Sequence, residues 1–101
     1  MTMSPSEMRR HWRFQGTKPA TVSRGGRQLA ATLKNVSVGG VFFLTDVRYP
    51  IGSDIEVYLT MPEELGALSA QIARCQAKVV RVEDYVGEYG IAAEIYELDL
   101  N

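Results

Sequence analysis

The sequence predicts an all-β protein of about six strands and almost no helix, arranged as a small antiparallel barrel or sandwich. Two observations predict it. Apolar and polar residues alternate with a period of two through most of the apolar segments, and turn-forming residues recur between them at short intervals. A third consideration favours the barrel, because a sheet closed on itself leaves no edge to pair with another chain.

Residues 1–8 read as a flexible tail, since Pro5 and its small polar neighbours give no periodicity. Ser6 is placed to cap one helical turn over 6–13, and an extended path suits the same residues equally well. Strand character begins at Thr17 and runs to Arg24, interrupted by Pro19, whose missing N–H suits an edge or a bulge. Gly25-Gly26 is a two-residue hairpin turn. Arg27 to Val36 then alternates, with Leu29, Ala31 and Leu33 on one face. Asn35 to Gly40 is a turn, Val41 to Thr45 a short buried strand, and Tyr49 to Gly52 a loop. Ile55, Val57 and Leu59 alternate with Glu56, Tyr58 and Thr60 as a half-buried strand. Pro62 to Ser69 is a loop or a single helical turn. Gln71 to Val82 is a long strand whose alternation changes face near Val79-Val80, which predicts a bulge there. A turn over Asp84–Glu88, a last strand over Tyr89–Tyr96 and a tail over 98–101 complete the chain.

A length of 101 residues suits one domain, and 46% hydrophobic with 23% charged residues is the composition of a globular chain, not a disordered one. Cys75 is the only cysteine, so no internal disulfide forms. The polar N-terminus has no signal-peptide core, and no apolar run approaches the roughly 20 residues of a membrane helix. A cytoplasmic protein without membrane insertion is the simplest expectation. Charge is unevenly spread: residues 1–48 hold eight Lys/Arg against two acids, and residues 49–101 hold three against ten. The basic half suits an anionic partner, or else the two halves neutralise each other across the fold.

Enzyme chemistry has little to work with. One histidine and one cysteine do not assemble a zinc site of the usual kind. No P-loop, Gly-x-Ser-x-Gly or His-Glu-x-x-His motif is present, and the acid pairs Glu63-Glu64 and Glu83-Asp84 fall in expected turns. The expectation is a binding protein with no catalytic residues, no metal and no cofactor.

Two clusters carry the binding chemistry. Arg9-Arg10-His11-Trp12-Arg13 precedes the strands, and Asn35-Val36-Ser37-Val38-Gly39-Gly40 lies between two early ones. Either alone reads as a solvated charge run or as ordinary turn chemistry. In this order, with this strand pattern, they resemble the R-x-x-x-R and [D/N]-x-S-x-x-G signature of the PilZ domain family. Arg9, Arg13, Asn35, Ser37 and Gly40 fall on its motif positions. The likeness continues through Gly52, Leu59-Thr60-Met61-Pro62, Val79-Val80-Arg81-Val82 and Tyr89-Gly90-Ile91-Ala92, and covers most of residues 9–97.

The resemblance implies a six-stranded antiparallel barrel over residues 17–97, preceded by a ligand-clamp segment over 9–16. Little or no C-terminal helix is expected, because the chain stops soon after the last strand. It also implies that the chain binds the second messenger cyclic di-GMP through Arg9, Arg10, Arg13, Asn35, Ser37, Gly39 and Gly40. The chemistry agrees: a guanidinium fork bonds phosphate oxygens or the O6 and N7 of guanine in pairs, and its plane stacks on a base. Asn35 and Ser37 offer an amide and a hydroxyl, and Gly40 offers a bend or room for close approach. The expected signal is a folding of the 9–13 segment over the barrel, read by a downstream protein partner. A PilZ-like interaction module without nucleotide binding is the second reading. A barrel for single-stranded nucleic acid is the third, because the regular interleaving of aromatic and basic residues is missing.

Overall fold

The structure is a computed structural model that describes residues 2–3, 14–37, 39–60 and 72–100. Seven strands are found among the described residues: β1 (Thr2–Met3), β2 (Phe14–Arg24), β3 (Arg27–Ser37), β4 (Gly40–Thr45), β5 (Asp54–Thr60), β6 (Ile72–Tyr85) and β7 (Glu88–Leu100). β2 to β7 pair antiparallel in the order β7-β4-β3-β2-β5-β6, and the β6–β7 pairing closes the ring. This is the expected six-stranded barrel. The expected loop over Pro62–Ser69 and the helical turn or extended path of 6–13 lie outside the described residues. Among the described residues no helix is long and apolar enough to cross a membrane.

Alternation builds the core. Along β4 the side chains switch regularly between half-buried and buried, with Val41, Phe43 and Thr45 inward. β5 turns Ile55, Val57 and Leu59 inward, and β6 does the same with Ala73, Cys75, Ala77 and Val79. Burying each larger apolar side chain of this kind contributes roughly 1.5–3 kcal/mol. Cys75 is a core residue, and burial pushes its thiol up to about 12. Tyr49 closes one end of the core, its ring edge-on to Phe43 at 6.4 Å between centroids.

Four register shifts interrupt this alternation. On β6, Val79 lies opposite Ala93 and Arg81 opposite Ala92, so Val80 is an extra residue at the expected position. On β7, Gln76 faces Glu97 and Ala77 faces Ile95, so Tyr96 is extra. On β3, Leu33 faces Phe43 and Asn35 faces Phe42, so Lys34 is extra relative to β4. On β2, Gln15 faces Asn35 and Lys18 faces Leu33, which sets Gly16 and Thr17 against Lys34 alone. The Lys34 ammonium donates to Thr17 Oγ1 at 3.1 Å across that irregularity. Pro19 lies on β2 before its pairing with β5 begins at Thr21, consistent with the expected edge position.

Three expectations are corrected at the chain ends and the last hairpin. Residues 98–101 are not simply a tail, because β7 continues to Leu100 and Leu98 is fully buried opposite Cys75. The bulge at Tyr96 hid this, since it places two exposed residues between inward Ile95 and inward Leu98 and breaks the period of two. Nor is all of 1–8 a tail, since Thr2 and Met3 pair with Asp99 and Leu98. The turn expected over Asp84–Glu88 shrinks to Val86-Gly87, with Gly87 at φ +82°.

Gly90 carries a packing constraint of its own. A Cβ placed there would lie 2.7 Å from Phe42 Cζ and 2.8 Å from Tyr85 Cε2. The two rings meet over the glycine backbone. Gly90→Ala should therefore force them apart and destabilise the fold by about 1–3 kcal/mol. Urea unfolding of the variant checks this, and an unchanged midpoint would show that the rings move aside freely.

Candidate ligand site

The two bulges on β3 and β6 determine what faces outward. Without the extra residue at Lys34, Asn35 would share the inward face of Leu33. With it, Leu33 and Val36 are both buried while Asn35 is exposed and Ser37 half-buried. On β6 the extra residue at Val80 acts likewise, so that Val79 is buried and Val82 packs against the core. Arg81, Glu83 and Tyr85 are left on the outside.

These outward residues meet. Asn35, Ser37 and Gly40 line one open cavity of about 470 Å³ together with Phe42, Arg81, Glu83, Tyr85 and Glu94. It lies on the outer face of four neighbouring strands, β3, β4, β7 and β6, and its volume falls within the usual range of small-molecule sites.

The two glycines of the motif do different work. Gly39 adopts φ +72° in the turn that closes the β3–β4 hairpin, and its carbonyl accepts a 2.7 Å bond from Ile95 N–H. Gly40 has no such backbone demand, and a Cβ there would meet only the Ala93 carbonyl oxygen at 3.8 Å. Nothing among the described residues excludes a side chain at Gly40, so the space beside it is left to the cavity.

Arg81, Glu83 and Tyr85 form a polar row along one wall. The Arg81 Nε–H donates to Glu83 Oε2 at 2.9 Å, and the Tyr85 hydroxyl donates to Glu83 Oε1. The Tyr85 bond holds the Glu83 carboxyl below its usual range, with the Arg81 guanidinium pulling the same way. The same bond raises the Tyr85 phenol, aided by burial. These residues were not among the expected site residues. The Val79-Val80-Arg81-Val82 pattern was visible, but only the bulge shows which way Arg81 faces. Tyr85, 47% exposed, forms part of the cavity wall.

The described wall is not cationic, for it sets Arg81 against Glu83 and Glu94. Arg9, Arg10 and Arg13 lie outside the described residues. Their tether is nevertheless known. Phe14 pairs with Val36 and Gln15 with Asn35, so the chain enters the barrel beside the motif. Arg13 is one residue further on, about 3.8 Å along the chain.

The chain is thus a small closed antiparallel barrel with a polar surface cavity beside a glycine turn. Comparison with known proteins identifies its family. The family model described as PilZ domain matches residues 7–100, and the chain belongs to that family. PilZ domains are receptors for cyclic di-GMP. A similar solved structure is that of the Bacillus subtilis inhibitor of motility (MotI/DgrA), with a TM-score of 0.71 at 13% identity, covering 86% of this chain. At that identity the likeness concerns the fold, and this chain spans 42% of that one. The search of curated proteins finds no match.

The contrast between the glycines is testable by stability alone. Gly39→Ala should cost about 1–2 kcal/mol, the penalty of a left-handed conformation for a residue with a Cβ. Gly40→Ala should be neutral or slightly stabilising, since a strand glycine is entropically costly. Thermal melts of the two variants check the order, and its reversal would mean that Gly40 serves the fold.

Proposed function

We propose that this chain binds cyclic di-GMP between its N-terminal arginines and the β3–β4 hairpin. Arg9, Arg10 and Arg13 supply the positive charge, Asn35 and Ser37 the polar contacts, Gly39 the turn and Gly40 the room. The observation that carries the reading is the convergence of Asn35, Ser37 and Gly40 on one cavity, beside the point where β2 begins. An anionic dinucleotide needs cations that the described wall does not supply in excess, and the arginine run is tethered where it can deliver them. Arg81 is one further cation on the wall, engaged by Glu83 at 2.9 Å.

Binding is read out as ordering. The 9–13 segment closes on the dinucleotide over the cavity, while the barrel, held by a closed ring of pairings, changes little. The surface so formed is what a downstream protein partner recognises. Contacts to two phosphates and two guanine faces offset the roughly 1–2 kcal/mol per residue needed to fix the backbone.

Calorimetric titration with cyclic di-GMP tests the reading, with GTP and a short oligonucleotide as comparisons. At a hundredfold excess over its dissociation constant the ligand should stabilise the fold by about 2.7 kcal/mol. A melt unmoved by excess ligand sinks the proposal. Arg13→Ala should lose about 1.5–3 kcal/mol of binding and Arg10→Ala less, because Arg13 occupies a motif position. Equal losses would reduce the run to diffuse charge. Glu83→Gln, which removes a negative charge and releases Arg81, should tighten binding. Trp12 is the only tryptophan, so its acrylamide quenching reports the segment. Quenching should fall on ligand addition, and no change would refute the ordering step even where binding is real.

A further inference from the structure

A second group of cations gathers at the other end of the barrel. Arg24 and Arg27 flank the Gly25-Gly26 turn and lie directly opposite each other in the β2–β3 register. Cross-strand partners share a face, and like charges so placed repel. Both line a small cavity of about 110 Å³ with Leu29, Val47, Arg48 and Tyr49. Arg48 has one carboxylate nearby, Asp84 at 3.9 Å. Asp54 and Glu56 line an adjoining cavity on the Arg24 side, but neither forms an ion pair with it. Arg24 and Arg27 thus have no carboxylate partner among the described residues.

At this cavity sits a buried hydroxyl with nothing to bond. Tyr49 is 3% exposed, and its Oη is the one buried side-chain polar atom among the described residues without a hydrogen-bond partner. Burial raises the phenol pKa, while Arg24 and Arg27 act on it in the opposite direction, so both guanidinium groups are near. Guanidinium groups only donate hydrogen bonds, so they leave the O–H without an acceptor. Arg24, Arg27 and the Tyr49 hydroxyl, gathered around one small space, lack the same thing among the described residues: an acceptor carrying negative charge.

We propose that this end of the barrel is a binding site for a compact oxyanion of the phosphate class, held by Arg24, Arg27 and Arg48 with the Tyr49 hydroxyl as a fourth donor. The oxyanion is either the free ion or the terminal phosphate of a small metabolite. The volume suits this size, since a water occupies about 30 Å³ in the liquid and the cavity holds only a few such units. The site is separate from the nucleotide cavity. Arg27 opens β3 and Ser37 ends it, ten residues apart at about 3.3 Å each. Arg24 and Arg27 repel each other across the hairpin and the Tyr49 hydroxyl lacks an acceptor among the described residues, and a bound anion relieves both.

The test is a set of thermal melts of the full chain in sodium phosphate and in sodium chloride at matched ionic strength. Phosphate also stabilises proteins generally through exclusion from their surfaces, so the informative quantity is the difference between variants. The parent should gain more from phosphate than Arg27→Gln and Tyr49→Phe do. In chloride both variants should melt at or above the parent, because each removes an unfavourable feature of the empty site. Arg24→Gln replaces Arg27→Gln should the latter fail to fold. Glycerol phosphate in place of phosphate separates the sources: an equal gain assigns the site to terminal phosphates, and no gain assigns it to the free ion. An equal phosphate gain in the parent and either variant overturns the proposal, as does loss of the gain in Arg13→Ala alone. Arg27→Gln should keep its response to cyclic di-GMP, which keeps the two sites experimentally distinct.

Discussion

Closure of the sheet is the constraint on which the rest depends. Six strands of unequal length must meet edge to edge, and the β6–β7 pairing that completes the ring runs from Ala73–Leu100 to Tyr85–Glu88. Strands that long bend to wrap a narrow core, and the bends are taken up at bulges. Each bulge also reverses which side chains face out. The core and the candidate site are therefore consequences of the same geometry: the extra residue at Lys34 keeps Val36 inside and turns Asn35 out, and the one at Val80 keeps Val82 against the core and turns Arg81 out.

Charge is organised around this scaffold with an asymmetry. The three cations of the acidic half, Arg74, Lys78 and Arg81, all find carboxylates within that half. Arg74 meets Asp99 at 2.6 Å and Glu56 at 3.5 Å, and Lys78 meets Asp54 at 3.4 Å. Arg48–Asp84 joins the basic half to the acidic one. Among the described residues, Arg24 and Arg27 at the β2–β3 hairpin are left without a carboxylate partner. Exposed ion pairs on β5, β6 and β7 contribute little to stability individually, so their main effect is on where the field is left unbalanced.

Fold class, the six strands of the barrel, the hairpin at Gly25-Gly26, the alternating faces of β5 and the bulge at Val80 were all legible from the period of two and the turn residues. So was the pairing of two half-motifs that marks the family. What alternation could not reveal was continuation past an unflagged bulge. Leu98 follows two outward residues and looks like the start of a tail, yet it is core. The convergence of Arg81, Glu83 and Tyr85 with Asn35 and Ser37 was equally hidden, because residues more than forty positions apart in the chain meet only through strands that sequence does not pair.

The sequence by itself determined which segments are strands and which residue types are available for an anion, because both are properties of neighbours along the chain. Tertiary structure alone decided which of those residues share a surface. The ring order sets β3, β4, β7 and β6 side by side, and the register sets Arg24 against Arg27. The bulges choose the face, and Tyr49 leaves its loop to enter the core while its hydroxyl goes without a partner. Apart from the Gly25-Gly26 turn and the bulge at Val80, which local sequence signals, those are decisions of packing, made where distant strands compete for one interior.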